Sequence, residues 1–316
     1  PWPNPESFGI CPWREELLRG MLGSTILGFH TRFHCKNFLE TVDRYLETRT
    51  EHESSTIHHR GKITLVESYP ISIQWPPTAP PTDSPAVCRA EVGQSSALAP
   101  DTLIGLGVDR LDYTKGILER LRAVERLFEL HPEMAGRFTF IQIAAPSRSI
   151  LDDYRALEIQ VRSLAERINE RFSAPGYLPV ILKIEHHEPE EVYRHYRAAD
   201  VCMVTSLHDG MNLVAKEFVA ARDDERGVLV LSQFTGAAQE LHEALVVNPY
   251  HIEQTAEALY RALTMPDYEQ QERMRSMRAM VRDFNVYRWA GRMLLDAARI
   301  RHRERLAGRI GIDKDA

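Results

Sequence analysis

One short polar segment carries two cations at a spacing that suits a diphosphate. The segment reads Asp109-Arg110-Leu111-Asp112-Tyr113-Thr114-Lys115-Gly116. Arg110 can hold a phosphate through two parallel hydrogen bonds, and Lys115 adds a compact positive charge five residues later. We expect Asp109 and Asp112 to hold the two cations in place. An isolated pair with this spacing is more often a surface salt-bridge cluster, so the segment alone does not decide between the two interpretations.

A second polar segment, from Thr205 to Glu217, reads TSLHDGMNLVAKE and follows an apolar run. Its pattern predicts a strand that ends in a tight turn at Asp209-Gly210, followed by a helix. The first turn of such a helix directs N–H groups and the positive end of the helix dipole at a ligand. Gly210 allows close approach, and the Glu217 carboxylate suits a pair of ribose hydroxyls. The alternative is an ordinary strand, turn and helix capped by Asp209, and the first segment is what argues against it.

The elements around both segments predict an α/β fold. From residue 103 onward, apolar runs rich in Val, Ile and Leu alternate with stretches of helical periodicity. The predicted strands are 103–108, 137–143, 180–184, 201–205, 228–231 and 244–247, and the predicted helices between and after them are 117–130, 151–172, 190–198, 213–222, 237–242 and 253–264. This alternation is typical of a Rossmann-like parallel sheet with helices on both faces. Both polar segments follow a strand directly, so they should lie at the carboxyl edge of the sheet, where ligands bind.

Composition divides the chain into four parts. Residues 1–75 hold predicted helices at 13–21 and 32–46 and predicted strands at 24–29, 56–59 and 63–68. Residues 76–100, rich in Pro, Ser, Thr and Ala, form a predicted interdomain linker with at most a short helix. Residues 101–284 hold the alternating strands and helices and end in a helix at about 268–283, and residues 285–316 are a helix at about 287–307 and a tail. The chain begins with Pro-Trp-Pro-Asn-Pro and no Met, so we expect a fragment of a longer protein.

Composition and charge exclude several classes of protein. The 316 residues carry a formal net charge of −6, so no basic field favours nucleic acid. No apolar run is long enough to span a bilayer, which predicts no membrane partner. Four scattered cysteines predict a reducing, cytoplasmic location and argue against both disulfides and a thiolate zinc site; they are Cys11, Cys35, Cys88 and Cys202. The sequence leaves a homo-oligomer open.

Two further predicted strand ends carry polar residues. Arg148, in Ala145-Pro146-Ser147-Arg148, places a guanidinium at the same edge of the sheet, and a capping Ser with a solvated Arg is the open alternative. His186 and His187 follow the third strand. Neighbouring side chains diverge and no third ligand is apparent, so we predict a loop that lines a nucleobase pocket and no metal site. The glycines in Gly105-x-Gly107 lack the third Gly of a dinucleotide fingerprint.

In combination, these segments resemble the trehalose-6-phosphate synthases. The matching stretches are 108–116, 145–148, 209–217, 228–234 and 248–250. This family of retaining glycosyltransferases, family 20, has the two-domain GT-B fold. Its members transfer glucose from UDP-glucose to the anomeric hydroxyl of glucose 6-phosphate, which gives trehalose 6-phosphate and UDP. The resemblance implies that residues 101–284 are the carboxyl-terminal, nucleotide-sugar-binding GT-B domain and that residues 1–75 are a remnant of the amino-terminal Rossmann-like domain.

The resemblance also implies roles for individual residues. The residues implied in catalysis are Arg110, Lys115 and Asp209. Those implied in donor binding are Arg110, Lys115, His187, Asp209, Gly210, Met211, Asn212, Leu213, Val214, Ala215, Lys216 and Glu217. Arg110, Lys115 and the amides of residues 213–214 would bind the donor diphosphate, and Glu217 would hold the ribose. Asp209 would contact the transferred glucose, the loop at His187 the uracil, and Arg148 the phosphate of the acceptor.

The mechanism that the resemblance implies needs no cofactor and no metal. Retention in this family is thought to follow front-side attack, with the departing phosphate accepting the proton of the acceptor. The family's amino-terminal acceptor-binding elements have no counterpart in this sequence, so the acceptor's identity stays open. A glucosylglycerol-phosphate synthase or an amine-coupling relative would share the donor half. A nucleotide-sugar-binding module without turnover is the alternative from a different class. His208 stands where the family often has Arg.

Overall fold

The computed structural model describes residues 1–77, 83–147 and 152–310, with the backbone alone for 307–310. Within these ranges the chain forms two compact units. The first comprises Pro1–Ser72 and the C-terminal segment that begins at Asn285, and the second comprises Ile73–Phe284.

The elements are numbered in chain order. The helices are α1 (Pro5–Phe8), α2 (Arg14–Met21), α3 (Arg32–Tyr45), α4 (Pro85–Ser95), α5 (Ile117–Leu130), α6 (Asp152–Phe172), α7 (Pro189–Ala198), α8 (Leu213–Ala221), α9 (Ile252–Thr264), α10 (Asp267–Asp283) and α11 (Val286–Ile310). The strands are β1 (Ile26–Phe29), β2 (Arg49–Glu51), β3 (Thr56–His59), β4 (Lys62–Ser68), β5 (Leu103–Arg110), β6 (Phe138–Ala145), β7 (Val180–Lys183), β8 (Val201–Val204), β9 (Val228–Ser232) and β10 (Leu245–Val247).

The first unit is built on a four-stranded mixed sheet. β1 pairs in parallel with β4, and the order β4, β3, β2 continues with antiparallel pairs. α3 buries Phe38 against Leu18 and Ile57, and the Trp2 ring lies on the same core, 4.9 Å from Phe38. The helices and strands predicted within residues 1–75 are found with ends within two residues of those expected, whereas α1 and β2 were not predicted, and α11 extends three residues beyond its predicted end. A four-residue helix is little more than one turn, and a three-residue strand is shorter than the apolar run that predicts a strand, so neither produces a periodic signal.

The second unit is built on a six-stranded sheet in the order β10-β9-β8-β5-β6-β7. All five neighbouring pairs are parallel, which confirms the predicted α/β parallel sheet. Every residue of β8 and β9 is buried, so both faces of the sheet are covered there. β5 and β8 are direct neighbours, which brings the two polar segments to one edge of the sheet.

The two glycines of β5 make room for side chains of the core. A Cβ at Gly105 would lie 2.6 Å from the ring of Phe138, and a Cβ at Gly107 would lie 2.6 Å from the Arg120 guanidinium. Both distances are far below an ordinary contact. These glycines therefore serve close packing inside a strand, in agreement with the weak match to a dinucleotide fingerprint.

Two segments of the second unit differ from the pattern predicted for them, one in the length of its helix and one in the type of its helix. The described part of residues 76–100 contains α4, whose Arg89 donates to the Asp200 carboxylate at 2.9 and 3.0 Å. In α4 only Cys88 and Val92 are buried, so its apolar periodicity is weak. The predicted helix at 237–242 is a single 3-10 turn, Gly236–Gln239, and the chain there contacts the backbone of the second polar segment.

Within the described ranges, no helix combines the length and apolarity needed to cross a membrane. All four cysteines are free. Burial raises the pKa of the Cys35 thiol to about 11, so it stays protonated at neutral pH.

Candidate functional site

The loop after β5 is shaped by a cap and a left-handed glycine. Asp112 Oδ1 accepts hydrogen bonds from the backbone N–H of Thr114 at 2.9 Å and from its hydroxyl at 2.8 Å. Gly116 begins α5 with a φ of 64°, a conformation that favours glycine. A Cβ at Gly116 would lie 2.5 Å from the carbonyl oxygen of Thr205, so the loop rests directly on the end of β8.

The two polar segments meet through Lys115 and Asp209. The Lys115 ammonium donates to Asp209 Oδ2 at 2.6 Å, and each side chain is only 16% exposed. The backbone N–H of Leu207 donates to the Thr114 carbonyl at 2.8 Å. The convergence expected from the sequence is therefore observed: a cation from the first segment lies against the turn of the second.

Asn212 shapes the turn that precedes α8. It has a φ of 74°, and its Oδ1 accepts from the Ala215 N–H at 3.3 Å, which caps the helix. Its Nδ2 donates to Asp209 Oδ2 at 3.1 Å. The N–H groups of Leu213 and Val214 precede the first i to i−4 hydrogen bond of α8, so the helix leaves them available to an anion.

The segment after β9 forms a wall behind this turn. The Asp209 N–H donates to the Phe234 carbonyl at 3.1 Å, and the Ala237 N–H donates to the Met211 carbonyl at 2.8 Å. A Cβ at Gly236 would lie 2.2 Å from the Gly210 carbonyl oxygen. The position of the turn therefore depends on a residue without a side chain, and the sequence pattern did not reveal this dependence.

Glu217 lies one turn beyond Leu213 on α8, with Tyr196 of α7 beside it. The Tyr196 hydroxyl donates to Glu217 Oε2 at 3.1 Å. Burial raises the pKa of Glu217, and the hydrogen bond from Tyr196 opposes the shift. A half-buried carboxylate at the edge of the sheet is placed to accept hydrogen bonds from a polyol.

A buried guanidinium joins the strand ends beneath the site. Arg120 of α5 is fully buried and donates to the Asp109 carboxylate, to Gln142 Oε1 at 2.9 Å and to Thr205 Oγ1 at 2.9 Å. It also donates to the Lys115 carbonyl at 3.3 Å. The residues contributed by β5, β6 and the end of β8 are thus held around one cation. Periodicity alone does not single out an Arg of this kind.

The expectation that Asp109 and Asp112 hold Arg110 and Lys115 is wrong in its pairing. Asp109 pairs with Arg120, Asp112 caps the 3-10 turn at Thr114, and Lys115 pairs with Asp209. Partial burial raises the pKa of Asp112, but hydrogen bonds from Thr114 and the charges of Arg110 and Lys115 outweigh it and lower the pKa. Both cations therefore lie within electrostatic reach of the same carboxylate.

The remaining predicted positions differ in accessibility. Arg110 is exposed, and no side chain in the described ranges forms a hydrogen bond or ion pair with it. Met211, Ala215 and Lys216 are buried, and the Lys216 ammonium is engaged by Glu240 at 2.6 Å. A ligand would meet these three residues through their backbone.

The His187 side chain is turned into the protein. It is 4% exposed, and its Nδ1 lies 2.9 Å from the Glu191 carboxylate. Any contact of His187 itself with a base would therefore come from its backbone. Arg148 lies outside the described residues. Across the ranges that the structure describes, no three His, Cys, Asp or Glu residues are grouped as a metal site would require.

Comparisons with known proteins agree with one another. The sequence profile described as Glycosyltransferase family 20 matches residues 1–299. Over 300 residues the chain is 35% identical to the alpha,alpha-trehalose-phosphate synthase [UDP-forming] of Pichia angusta, covering 95% of this chain and 63% of that protein. It is 38% identical over 291 residues to the bifunctional trehalose-6-phosphate synthase/phosphatase of Thermoproteus tenax, covering 92% of this chain and 39% of that protein. The chain thus spans less than two thirds of the length of these relatives.

Solved structures give the same result. The crystal structure of a UDP-forming alpha,alpha-trehalose-phosphate synthase from Burkholderia xenovorans in complex with glucose-6-phosphate superposes with a TM-score of 0.84 at 35% identity, covering 94% of this chain and 66% of that one. An E. coli structure described as trehalose-6-phosphate bound with UDP-2-fluoro glucose superposes with a TM-score of 0.85 at 34% identity, covering 94% and 65%. The two-domain GT-B architecture expected from the sequence is that of these neighbours.

Proposed function

Because the chain belongs to glycosyltransferase family 20, we propose that its Ile73–Phe284 unit binds UDP-glucose and that the protein transfers the glucose to glucose 6-phosphate. The products are α,α-trehalose 6-phosphate, with retained configuration at the donor carbon, and UDP. The observation that carries the proposal is the contact between Lys115 and Asp209, which unites two segments that each suit part of a sugar nucleotide.

The diphosphate lies between Arg110 and Lys115 on one side and the amides of Leu213 and Val214 on the other. Arg110 supplies a planar fork of donors, and Lys115 supplies a point charge. The amides add the positive end of the α8 dipole. Exposure of Arg110 and its lack of an ion pair among the described residues support this assignment, because it is available to an incoming anion.

Asp209 meets hydroxyls of the transferred glucose, and Glu217 meets the ribose. Asp209 accepts from Lys115 and Asn212 through Oδ2, and its partial exposure leaves it accessible to a sugar hydroxyl. Glu217 lies on the same helix four residues after Leu213, about 6 Å further along the helix axis. The backbone near His187 meets the uracil, and Arg148 meets the acceptor phosphate.

Charge development explains why these residues promote transfer. Departure of UDP places negative charge on the diphosphate and positive character on the sugar. Cations and amides already held in place stabilise the leaving group without reorganisation of solvent. Loss of one such donor is expected to slow transfer by about 10²–10³-fold. In front-side attack, the phosphate oxygen that leaves takes the proton of the acceptor hydroxyl, so no protein carboxylate is required as nucleophile.

Relatives support the choice of substrates. Their structures are described with glucose-6-phosphate and with UDP-2-fluoro glucose. The four free cysteines support a cytoplasmic location.

Calorimetric titration of the chain with UDP tests the proposal. We expect saturable binding that persists in EDTA and is abolished in the double variant Arg110→Ala/Lys115→Ala. Unchanged binding in that variant would refute the site. The acceptor is tested by measuring the release of UDP from UDP-glucose in the presence of either glucose 6-phosphate or glycerol 3-phosphate. A preference for glycerol 3-phosphate would overturn the proposed reaction. Binding of UDP without release from UDP-glucose would reduce this chain to a donor-binding unit.

A further inference from the structure

Tyr196 is fully buried beside the carboxylate of Glu217. Its ring packs edge to face against Phe218 and Tyr193, with ring centroids 6.3 Å and 5.6 Å apart, respectively. Its hydroxyl donates to Glu217 Oε2 at 3.1 Å. Because neighbouring side chains enclose the ring, it has little freedom to rotate, and its hydroxyl is held next to the carboxylate.

The hydroxyl of Tyr196 keeps its proton and therefore acts as a donor. Burial raises the pKa of Tyr196 well above its ordinary value, and the charge of Glu217 raises it further. Among the side chains described by the structure, only that of Tyr196 donates a hydrogen bond to Glu217. A carboxylate has about four lone-pair sites, so Glu217 retains capacity for ligand hydroxyls while Tyr196 occupies one of them.

We propose that Tyr196 is a positioning residue that fixes Glu217 for recognition of the ribose diol, and that it thereby sets a preference for ribonucleotide over deoxyribonucleotide donors. The inference rests on the proposed function, in which Glu217 meets the ribose. Without the hydrogen bond, the Glu217 side chain is free to rotate and must be ordered when a nucleotide binds. With it, the carboxylate is ordered beforehand, which favours binding. Only a nucleotide that carries the diol gains fully from this ordering.

Tyr193 provides a matched control on the same helix. It lies three residues before Tyr196, and its ring contacts the Tyr196 ring. Burial, and then the charge of Glu217, raise its pKa, so it is close to the same carboxylate. No hydrogen bond joins Tyr193 to Glu217 in the described structure. Tyr193→Phe and Tyr196→Phe therefore remove the same atom at neighbouring positions, but only the second removes the hydrogen bond.

The test titrates the full chain with UDP, 2′-deoxy-UDP and 3′-deoxy-UDP. In the unmodified chain, we expect at least one deoxynucleotide to bind about tenfold or more weakly than UDP, because a hydrogen bond to a charged acceptor is lost. In Tyr196→Phe this preference should fall to about threefold or less, mainly through weaker binding of UDP. Tyr193→Phe should keep the preference of the unmodified chain. A purely structural role would lower the melting temperature and leave the ratio unchanged.

The outcomes separate this inference from the proposed function. If Tyr196→Phe keeps the full preference for UDP, the inference is overturned, whatever happens to stability. Glu217→Gln serves as the reference. If it binds UDP as tightly as the unmodified chain, Glu217 does not meet the ribose, and the ribose assignment and the inference fail together. If Glu217→Gln weakens UDP binding while Tyr196→Phe behaves like Tyr193→Phe, the inference alone fails.

Discussion

A single methyl group at Gly236 should displace the turn that holds Asp209. The Cβ of Gly236→Ala would lie 2.2 Å from the Gly210 carbonyl oxygen, whereas ordinary contacts begin at 3.4 Å. One of the two segments must therefore move by about 1.2 Å, the difference between these distances. The obstacle is backbone on both sides, so no side-chain rotation relieves it.

The expected cost is large for so small a change. Overpacking of this kind lowers the free energy of unfolding by about 1–3 kcal/mol. A shift of about 1 Å in a catalytic group costs on the order of 10²-fold in rate. We expect UDP to bind about tenfold more weakly to Gly236→Ala, and turnover with UDP-glucose to fall further.

Calorimetry with UDP and urea-induced unfolding measure both effects. Gly93→Ala is the control, because a Cβ there, in α4, has no atom within 4 Å. That control should bind UDP normally and gain about 0.5–1 kcal/mol of stability from the better helix former. If Gly236→Ala matches the unmodified chain in both UDP affinity and stability, the wall behind the turn does not position Asp209 and the reasoning is refuted.

Three further perturbations test other parts of the site. Arg120→Met leaves Asp109 buried without its cation, so the free energy of unfolding in urea should fall by about 3–5 kcal/mol. UDP binding should release protons above pH 4.5, the ordinary pKa of a glutamate, because burial raises the pKa of Glu217 in the free chain and ribose hydroxyls favour its ionised form. Calorimetry in buffers of different ionisation enthalpy measures that release. Asn212→Ala removes the α8 cap at a φ of 74°, so stability should fall by about 1–2 kcal/mol and UDP should bind more weakly.

Each of these has a matched control. Arg126→Met removes a partly exposed Arg of the same helix and should leave stability nearly unchanged; equal loss in both variants would contradict the importance of the buried cation. Ser84→Ala removes the α4 cap and should lower stability without weakening the binding of UDP. In Glu217→Gln, the proton release that comes from Glu217 should disappear, and only the release that comes from the nucleotide should remain. Among the described residues, the titratable groups on which the charge of Glu217 acts have ordinary pKa values far above the pH of this release, and burial raises them further, so they stay protonated; these are Tyr193, Tyr196 and Cys202.

The sheet and the meeting of its two polar segments could be predicted because their signals are local. Amphipathic spacing predicted a helix at 117–130, and α5 has those bounds. Strands of continuous apolar residues indicated a parallel sheet, and in such a sheet segments that follow neighbouring strands must share an edge. The contact between Lys115 and Asp209 follows from that geometry.

The supports beneath the site could not be predicted, because they depend on distant parts of the chain. Arg120 can be buried because Asp109 of β5, Gln142 of β6 and Thr205, directly after β8, receive its hydrogen bonds. The role of Gly236 likewise depends on the fold. The Gly210 carbonyl that it approaches lies in a different segment of the chain, so no local pattern predicts the contact. Charge alone suggested that Asp109 would hold the neighbouring cations. In the folded chain, Asp109 and Arg120 are both buried and pair with each other.

A crystal structure of the chain soaked with UDP tests the central claim most directly. We expect the diphosphate within hydrogen-bonding distance of Arg110, Lys115 and the amides of Leu213 and Val214, with the ribose against Glu217. UDP bound elsewhere, or a site still empty at a concentration that saturates binding in solution, would contradict it.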